Sequence, residues 1–471
     1  MNRVLVHFNM WTTLAACVGL GLVCYTFYPG YLNWDSLFQL HQAKSGIFSD
    51  YHPVIFAYIW FWLNKIYLGP FLMMALQNVM FWMGLAIVAN RIDNAFIRCM
   101  TILAIGCFPS IFIFLGSVQK DSAMGCAFVL AFAFLFLAEQ ENRFFHLVLS
   151  VPILLYACSV RYNGIFAAIP FFTWAAYIFL NRFQWNRIRK IIMISFLTGL
   201  LVVCSLLFNI FLSRVLVNPA FKVYPMKGIG QILLIQDITA MSIYSHENKL
   251  PQYLFQDVPG ISWDGIQKAF IVYDASSLQR YWDEVDESSP VKFLQQMPIM
   301  AYQPIFTKDR HKAQELKAVW EKVIFEHLGL YLRYKFEAFR YLLGFYTDCP
   351  CWIYDLGIPA TALEISLPAN KWRDAIMNIL SKIRFTFVFR AWLYLGLGLF
   401  LLCLAMRFRQ NMIPTLVLFA SGWIYIIPYY FIGLSCDFRY VWWLVVTVLL
   451  MPLFAFSAPK DNPDKRAYKI V

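Results

Sequence analysis

DYHPVIFAYIWFWLNKIYLG, residues 50–69, decides how the rest of the chain is read. If its apolar centre, residues 52–68, crosses a membrane, every later helix reverses direction. A crossing helix needs about 20 apolar residues to span some 30 Å of hydrocarbon. This stretch is shorter, is interrupted by Asn64 and Lys65, and carries Phe56, Tyr58, Trp60, Phe61, Trp62 and Tyr67. With Pro53 at the start, it reads as a helix lying in the interface.

The basic residues agree. Spans are expected at 4–28, 71–90, 96–116, 122–138, 145–160, 164–180, 191–213, 386–406, 412–432 and 440–457. One face then carries Arg3, Arg91, Arg98, Arg143, Arg182, Arg187, Arg189, Lys190, Arg407, Arg409, Lys460, Lys465, Arg466 and Lys469. The short loops of the other face carry Lys44, Lys65, Lys120, Arg161 and Arg439. Fourteen against five is the positive-inside pattern, with both termini cytoplasmic. A crossing at 52–68 would move thirteen of the fourteen outside.

Composition fits an all-α, polytopic membrane protein with about ten transmembrane helices. The 471 residues are 60% hydrophobic and 14% charged, against roughly half and a quarter in soluble domains. The ~10-residue alternating segments of a membrane barrel are missing. The first apolar run, 4–28, is too long for a signal-peptide core and lacks a clear cleavage site, so it reads as a retained helix. The net charge of +12 lies mostly beside apolar runs, where it is topogenic, so no nucleic-acid partner is expected. Most of the 11 cysteines sit in apolar runs. Cys349, Cys351 and Cys436 fall on the external side and are the pool for a disulfide there.

Three regions follow. Residues 1–213 form an N-terminal transmembrane core with an external loop at 29–70. Residues 214–385 form an external, mostly helical domain, containing DEVDES (283–288) and a charged helical run over 308–346. There Leu316, Val319, Val323, Leu328, Leu330 and Leu332 recur at roughly helical spacing. Residues 386–471 supply the last helices and a cytoplasmic tail.

This topology gathers polar side chains at the external helix ends: Asn33, Asp35, Lys44, Asp50 and His52; Gln119, Lys120 and Asp121; Arg161, Tyr162 and Asn163; Asp437, Arg439 and Tyr440. Ionisable groups beside hydrocarbon are expensive and often functional. The carrying motifs are NWDSLFQLHQAKSG (33–46), DYHPVIFAYIW (50–60), VQKDS (118–122), SVRYNG (159–164) and CDFRY (436–440). In plan and in the positions of these turns the chain resembles the GT-C membrane glycosyltransferases, which use polyprenyl-phosphate-linked sugars. Such enzymes decorate lipopolysaccharide, O-antigen or other envelope glycans.

The resemblance implies transfer of a hexose or related sugar from a polyprenyl-phosphate donor to a glycan or lipid-linked acceptor, in contact with membrane lipids. The site would lie at the outer, periplasmic or extracellular, face of a cytoplasmic (inner) membrane. Asp35 is implied as the base that takes the acceptor proton in a single inverting displacement; Asp50 is the second candidate. Asp35 also stands where a helix N-cap would. His52, held extended by Pro53, is a candidate for acceptor or phosphate. Lys120, Arg161 and Arg439 are candidates for the phosphate, with local pairs Lys120–Asp121 and Arg439–Asp437 as the plain alternative, and Lys44 is a further substrate-binding candidate. Asp121, Asn163, Asp437 and Tyr440 complete the candidate binding set. Trp34 and Tyr440 are aromatic enough to stack on a sugar, or simply to anchor in the interface. No cofactor is required by any motif; a divalent metal, used by some such enzymes, would draw on Asp35 and Asp50. Phosphate-loop, nucleophile-elbow and zinc-protease motifs are missing. Two rivals remain: a glycan polymerase or ligase using a histidine base, and a lipid-linked-sugar transporter or flippase, which predicts repeats and mid-membrane charges.

Overall fold

The computed structural model describes residues 9–49, 52–217, 228–285, 307, 309–346, 351–359, 365–408, 412–433 and 435–455. Among them the ordered elements are helices, joined by isolated bridges alone. The protein is a multi-pass membrane protein. Helices α1 (Met10–Phe27), α4 (Phe71–Ala89), α7 (Lys120–Glu141), α10 (Arg187–Leu216) and the run Met412–Ile432 are each long and apolar enough to cross a bilayer. That last run comprises α19 (Met412–Ile426) and α20 (Tyr429–Ile432). The span expected at 96–116 is instead two helices, α5 (Ala95–Gly106) and α6 (Pro109–Leu115), bent by 69°. Pro109 opens α6, where a missing N–H costs nothing but the preceding helix cannot continue. α8 (Phe144–Val160), α9 (Gly164–Leu180), α18 (Ala391–Phe408) and α21 (Trp442–Leu450) with α22 (Pro452–Ala455) are the shorter apolar helices.

The deciding stretch folds as α3 (Val54–Asn64), 11 residues, about 16 Å long. That is half the hydrocarbon thickness. Trp60 is buried and donates from Nε1 to the Gly69 carbonyl at 2.9 Å, whereas Trp62 is 55% exposed. α2 (Trp34–Ser45) packs against α3.

α7 lies at the centre of the bundle, buried along nearly its whole length. Its closeness to α4 depends on Gly84: a Cβ there would sit 2.8 Å from the Val129 carbonyl oxygen. Small residues let membrane helices approach in this way.

A separate group of helices carries its own core. α11 (Gly228–Tyr244), α12 (Tyr253–Gln256), α13 (Trp263–Ala269) and α14 (Ser276–Val285) pack with α15 (Arg310–Glu326) and α16 (Leu328–Leu343). A buried ion pair, Asp237–Lys335 at 2.6 Å, joins α11 to α16. The charged run folds as two helices, α15 and α16. Leu316 and Val323 face this core, whereas Leu328 and Leu332 are exposed. α17 (Lys371–Ile383) is amphipathic and packs against α1.

Candidate functional site

The site is assembled at one end of the bundle from four short segments. Asn33, not Asp35, caps α2: its side chain accepts the Ser36 N–H at 2.9 Å. Asp35 therefore lies inside the first turn, where the helix dipole favours a negative charge. Gly46 closes α2 at φ 71°, a left-handed turn that needs no Cβ. His52 precedes α3, Lys120 opens α7, and Arg439 lies in a short 3-10 turn, Phe438–Tyr440.

These four side chains meet. Asp35 Oδ2 accepts from Lys120 Nζ at 2.9 Å and from Arg439 Nη1 at 3.1 Å. His52 Nε2 lies 3.6 Å from Asp35 Oδ1, and His52 Nδ1 lies 3.0 Å from Lys120 Nζ. The Asp35 side chain is 29% exposed, against 8% for Lys120, 6% for His52 and 14% for Arg439. The carboxylate is thus the accessible face of a buried cationic cradle.

Protonation follows from the surroundings. Burial works to raise the Asp35 pKa, but Lys120, Arg439 and His52 together outweigh it and hold the carboxyl well below the usual range. Burial, with Lys120 beside it, pushes His52 down to about 4 against the pull of Asp35. His52 is therefore neutral at pH 7. Its Nδ1 accepts from the Lys120 ammonium, which leaves the proton on Nε2, facing Asp35. Burial raises Asp437 to about 7, although Arg439 works to lower it.

A second layer holds the cradle in place. Asp437 contacts Arg439 Nε at 2.7 Å. Lys120 pairs with Asp35 rather than its neighbour Asp121, which is taken by Arg161. There Nη1 donates to Asp121 Oδ2 at 3.0 Å, and Nε lies 2.9 Å from Oδ1. Arg161 Nη2 donates to the Tyr429 hydroxyl at 3.0 Å, and Tyr440 lies under both Arg161 and Arg439. Tyr440 also stacks on Tyr429, centroids 5.0 Å apart.

Lys44 stands nine residues along α2 from Asp35, about 13 Å away and on the opposite side of the helix. Asn163 precedes α9 without capping it through its side chain. Trp34 is 66% exposed beside Asp35. Asp50 and Cys349 lie outside the described residues.

Residues 351–359 form a strap of which the sequence signalled only Cys351, a member of the expected disulfide pool. Cys351 is disulfide-bonded to Cys436, 85 residues away. The Trp352 carbonyl accepts the Phe438 N–H at 2.9 Å, and the Gly357 carbonyl accepts the Leu32 N–H at 3.0 Å. Buried Asp355 takes the Ser117 hydroxyl, and accepts Trp352 Nε1 at 3.1 Å. Burial raises its pKa, against those two bonds. One short segment therefore touches the loops leading into Asp35, Lys120 and Arg439. Reducing the disulfide is expected to cost about 2–4 kcal/mol. The check is a fall in melting midpoint on adding dithiothreitol, absent in a Cys351→Ser/Cys436→Ser double variant. An unchanged midpoint in the parent would deny the strap its constraint.

Among the described residues, no group of three or more His, Cys, Asp or Glu is arranged to hold a metal ion. Asp35, already clasped by two cations, is a poor ligand for a third. No family model and no curated protein matches the chain. Among solved structures it is similar to ArnT from Cupriavidus metallidurans bound to undecaprenyl phosphate, with 13% identity, 93% of this chain and 77% of that one covered, and a TM-score of 0.34. A likeness this distant decides nothing about the chemistry.

Proposed function

We propose that the protein is a GT-C-type membrane glycosyltransferase, moving a sugar from a polyprenyl-phosphate donor to an envelope glycan or lipid-linked acceptor at the outer face of a cytoplasmic membrane. The observation that carries this is the accessible Asp35 carboxylate held between Lys120 and Arg439. The donor is a phosphodiester with one negative charge, and the two cations suit it. As they turn to the phosphate they release Asp35, whose basicity rises. Asp35 then takes the acceptor hydroxyl proton while that oxygen bonds to the anomeric carbon. The bond from that carbon to the phosphate oxygen breaks on the opposite side. Polyprenyl phosphate leaves, its growing charge met by Lys120 and Arg439, and the anomeric centre inverts.

Arg161 is fully engaged with Asp121 and Tyr429, so its part is to hold Tyr440 and the neighbouring turn. A polymerase or ligase reading with His52 as base is less supported, because Lys120 occupies the free lone pair on Nδ1. Charges at helix ends favour an enzyme over a transporter.

The test is protein in nanodiscs, assayed for release of undecaprenyl phosphate from undecaprenyl-phosphate sugars with an acceptor extract, and for inversion of the product. Lys120→Gln is expected to weaken undecaprenyl phosphate binding by about 10–100-fold, the worth of a charged hydrogen bond. Unchanged affinity would remove Lys120 from the phosphate site.

Asp437 gives the site a pH response. Below about pH 7 it is neutral and leaves Arg439 less compensated; above, it is ionised and competes with the phosphate. The donor KM should therefore rise between pH 6 and pH 8. Asp437→Asn, neutral throughout, should flatten that rise. A wild-type KM that does not change over this range, or a slope kept by the variant, would contradict it.

A further inference from the structure

Gln39 stands one turn along α2 from Asp35, offset by about 40° around the axis, and so shares its face. It is 1% exposed, and neither its Oε1 nor its Nε2 has a hydrogen-bond partner among the described residues. Nearby Gln42 is different: its Nε2 donates to Ser49 Oγ at 3.2 Å and its Oε1 accepts the Ser49 N–H at 3.1 Å. A buried amide unpaired at both ends lowers stability, and such a group calls for an explanation, a ligand being one. It is also uncharged, so it does not compete with Lys120 and Arg439 for phosphate.

We infer that Gln39 is a specificity-determining residue whose amide hydrogen-bonds two neighbouring hydroxyls of the donor sugar. The inference rests on the glycosyl-transfer reading. A primary amide offers a donor and an acceptor side by side, and a vicinal diol offers the complementary pair. One helical turn, about 5.4 Å, is comparable with the breadth of a hexose ring. With the anomeric carbon at Asp35 and the cations, a ring lying along α2 would extend toward Gln39, one turn away. A site built to pair with hydroxyls rejects sugars that present them differently, because its own buried groups then stay unpaired.

The experiment compares wild type, Gln39→Leu and Gln39→Met in nanodiscs. Two quantities are measured: the melting midpoint, and affinity for undecaprenyl phosphate and for undecaprenyl-phosphate glucose, galactose and mannose. Wild type should bind one sugar donor more tightly than the bare phosphate. Both variants should melt higher, bind bare undecaprenyl phosphate as wild type does, and lose about tenfold in affinity for the preferred sugar donor. A lower midpoint with equal loss for all ligands would make Gln39 a structural amide. An unchanged preference among the sugars would remove it from the sugar site. Failure of wild type to bind bare undecaprenyl phosphate would instead sink the glycosyl-transfer reading, and this inference with it.

Discussion

Asp35→Asn is expected to lower the proposed sugar transfer by about 10²–10⁴-fold, the usual worth of a positioned general base, while the protein should stay folded and bind bare polyprenyl phosphate more tightly. The reason is the pairing. The amide keeps the shape of the carboxylate but takes no proton, and it no longer competes for Lys120 and Arg439. Loss of turnover with gain of phosphate affinity separates a lost base from a collapsed site. Wild-type turnover in both Asp35→Asn and Asp35→Ala, with expression matched, would refute the assignment. The same pairing has a stability signature. The folded-state pKa of Asp35 lies below its unfolded value, so its contribution is present above the ordinary carboxylate pKa. That contribution is lost as pH falls through the folded value. Acid unfolding should therefore begin at higher pH in Lys120→Gln than in the parent.

Arg439→Ala is expected to have the second largest effect, because Arg439 contacts two carboxylates at once. It contacts Asp437 at 2.7 Å and Asp35 at 3.1 Å. Removing one partner of a buried pair typically costs about 3–5 kcal/mol, since the remaining charge is left uncompensated. The variant should melt well below the parent and lose polyprenyl phosphate binding about 10–100-fold. Arg439→Lys tests geometry: an ammonium keeps the charge but not the planar fork that reaches both acids. It should recover part of the stability and little of the transfer. An alanine variant with parental melting and donor affinity would show that the cradle does not depend on this guanidinium.

The apolar periodicity and the basic-residue asymmetry made a multi-span helical protein legible from the sequence. Asp35, His52, Lys120 and Arg439 were also visible as charges beside apolar runs. The pairings were not. Adjacency suggested Lys120 with Asp121, but α7 points the lysine toward α2, 85 residues away in the chain, and Arg161 takes the aspartate. The cap alternative for Asp35 falls to Asn33, because the two are equally good caps by type and only the fold chooses between them. Asp355, Ser117 and Gln39 gave no signal, because a polar residue of ordinary type acquires meaning only from what a distant segment brings beside it. The 69° bend between α5 and α6 was hidden for a similar reason: Pro109 marks a break without fixing its angle.

The Cys351–Cys436 bond has a consequence for biogenesis. Its second half follows the first by 85 residues and lies just ahead of the turn that carries Arg439. Both thiols must be present together, so the bond closes only after the second cysteine, 85 residues further on, and α17, α18, α19 and α20 before it have been synthesised. Newly inserted molecules would therefore begin in an immature form, with Arg439 on an untethered turn. Oxidation after the helices between the two cysteines are in place would be a late step of their maturation.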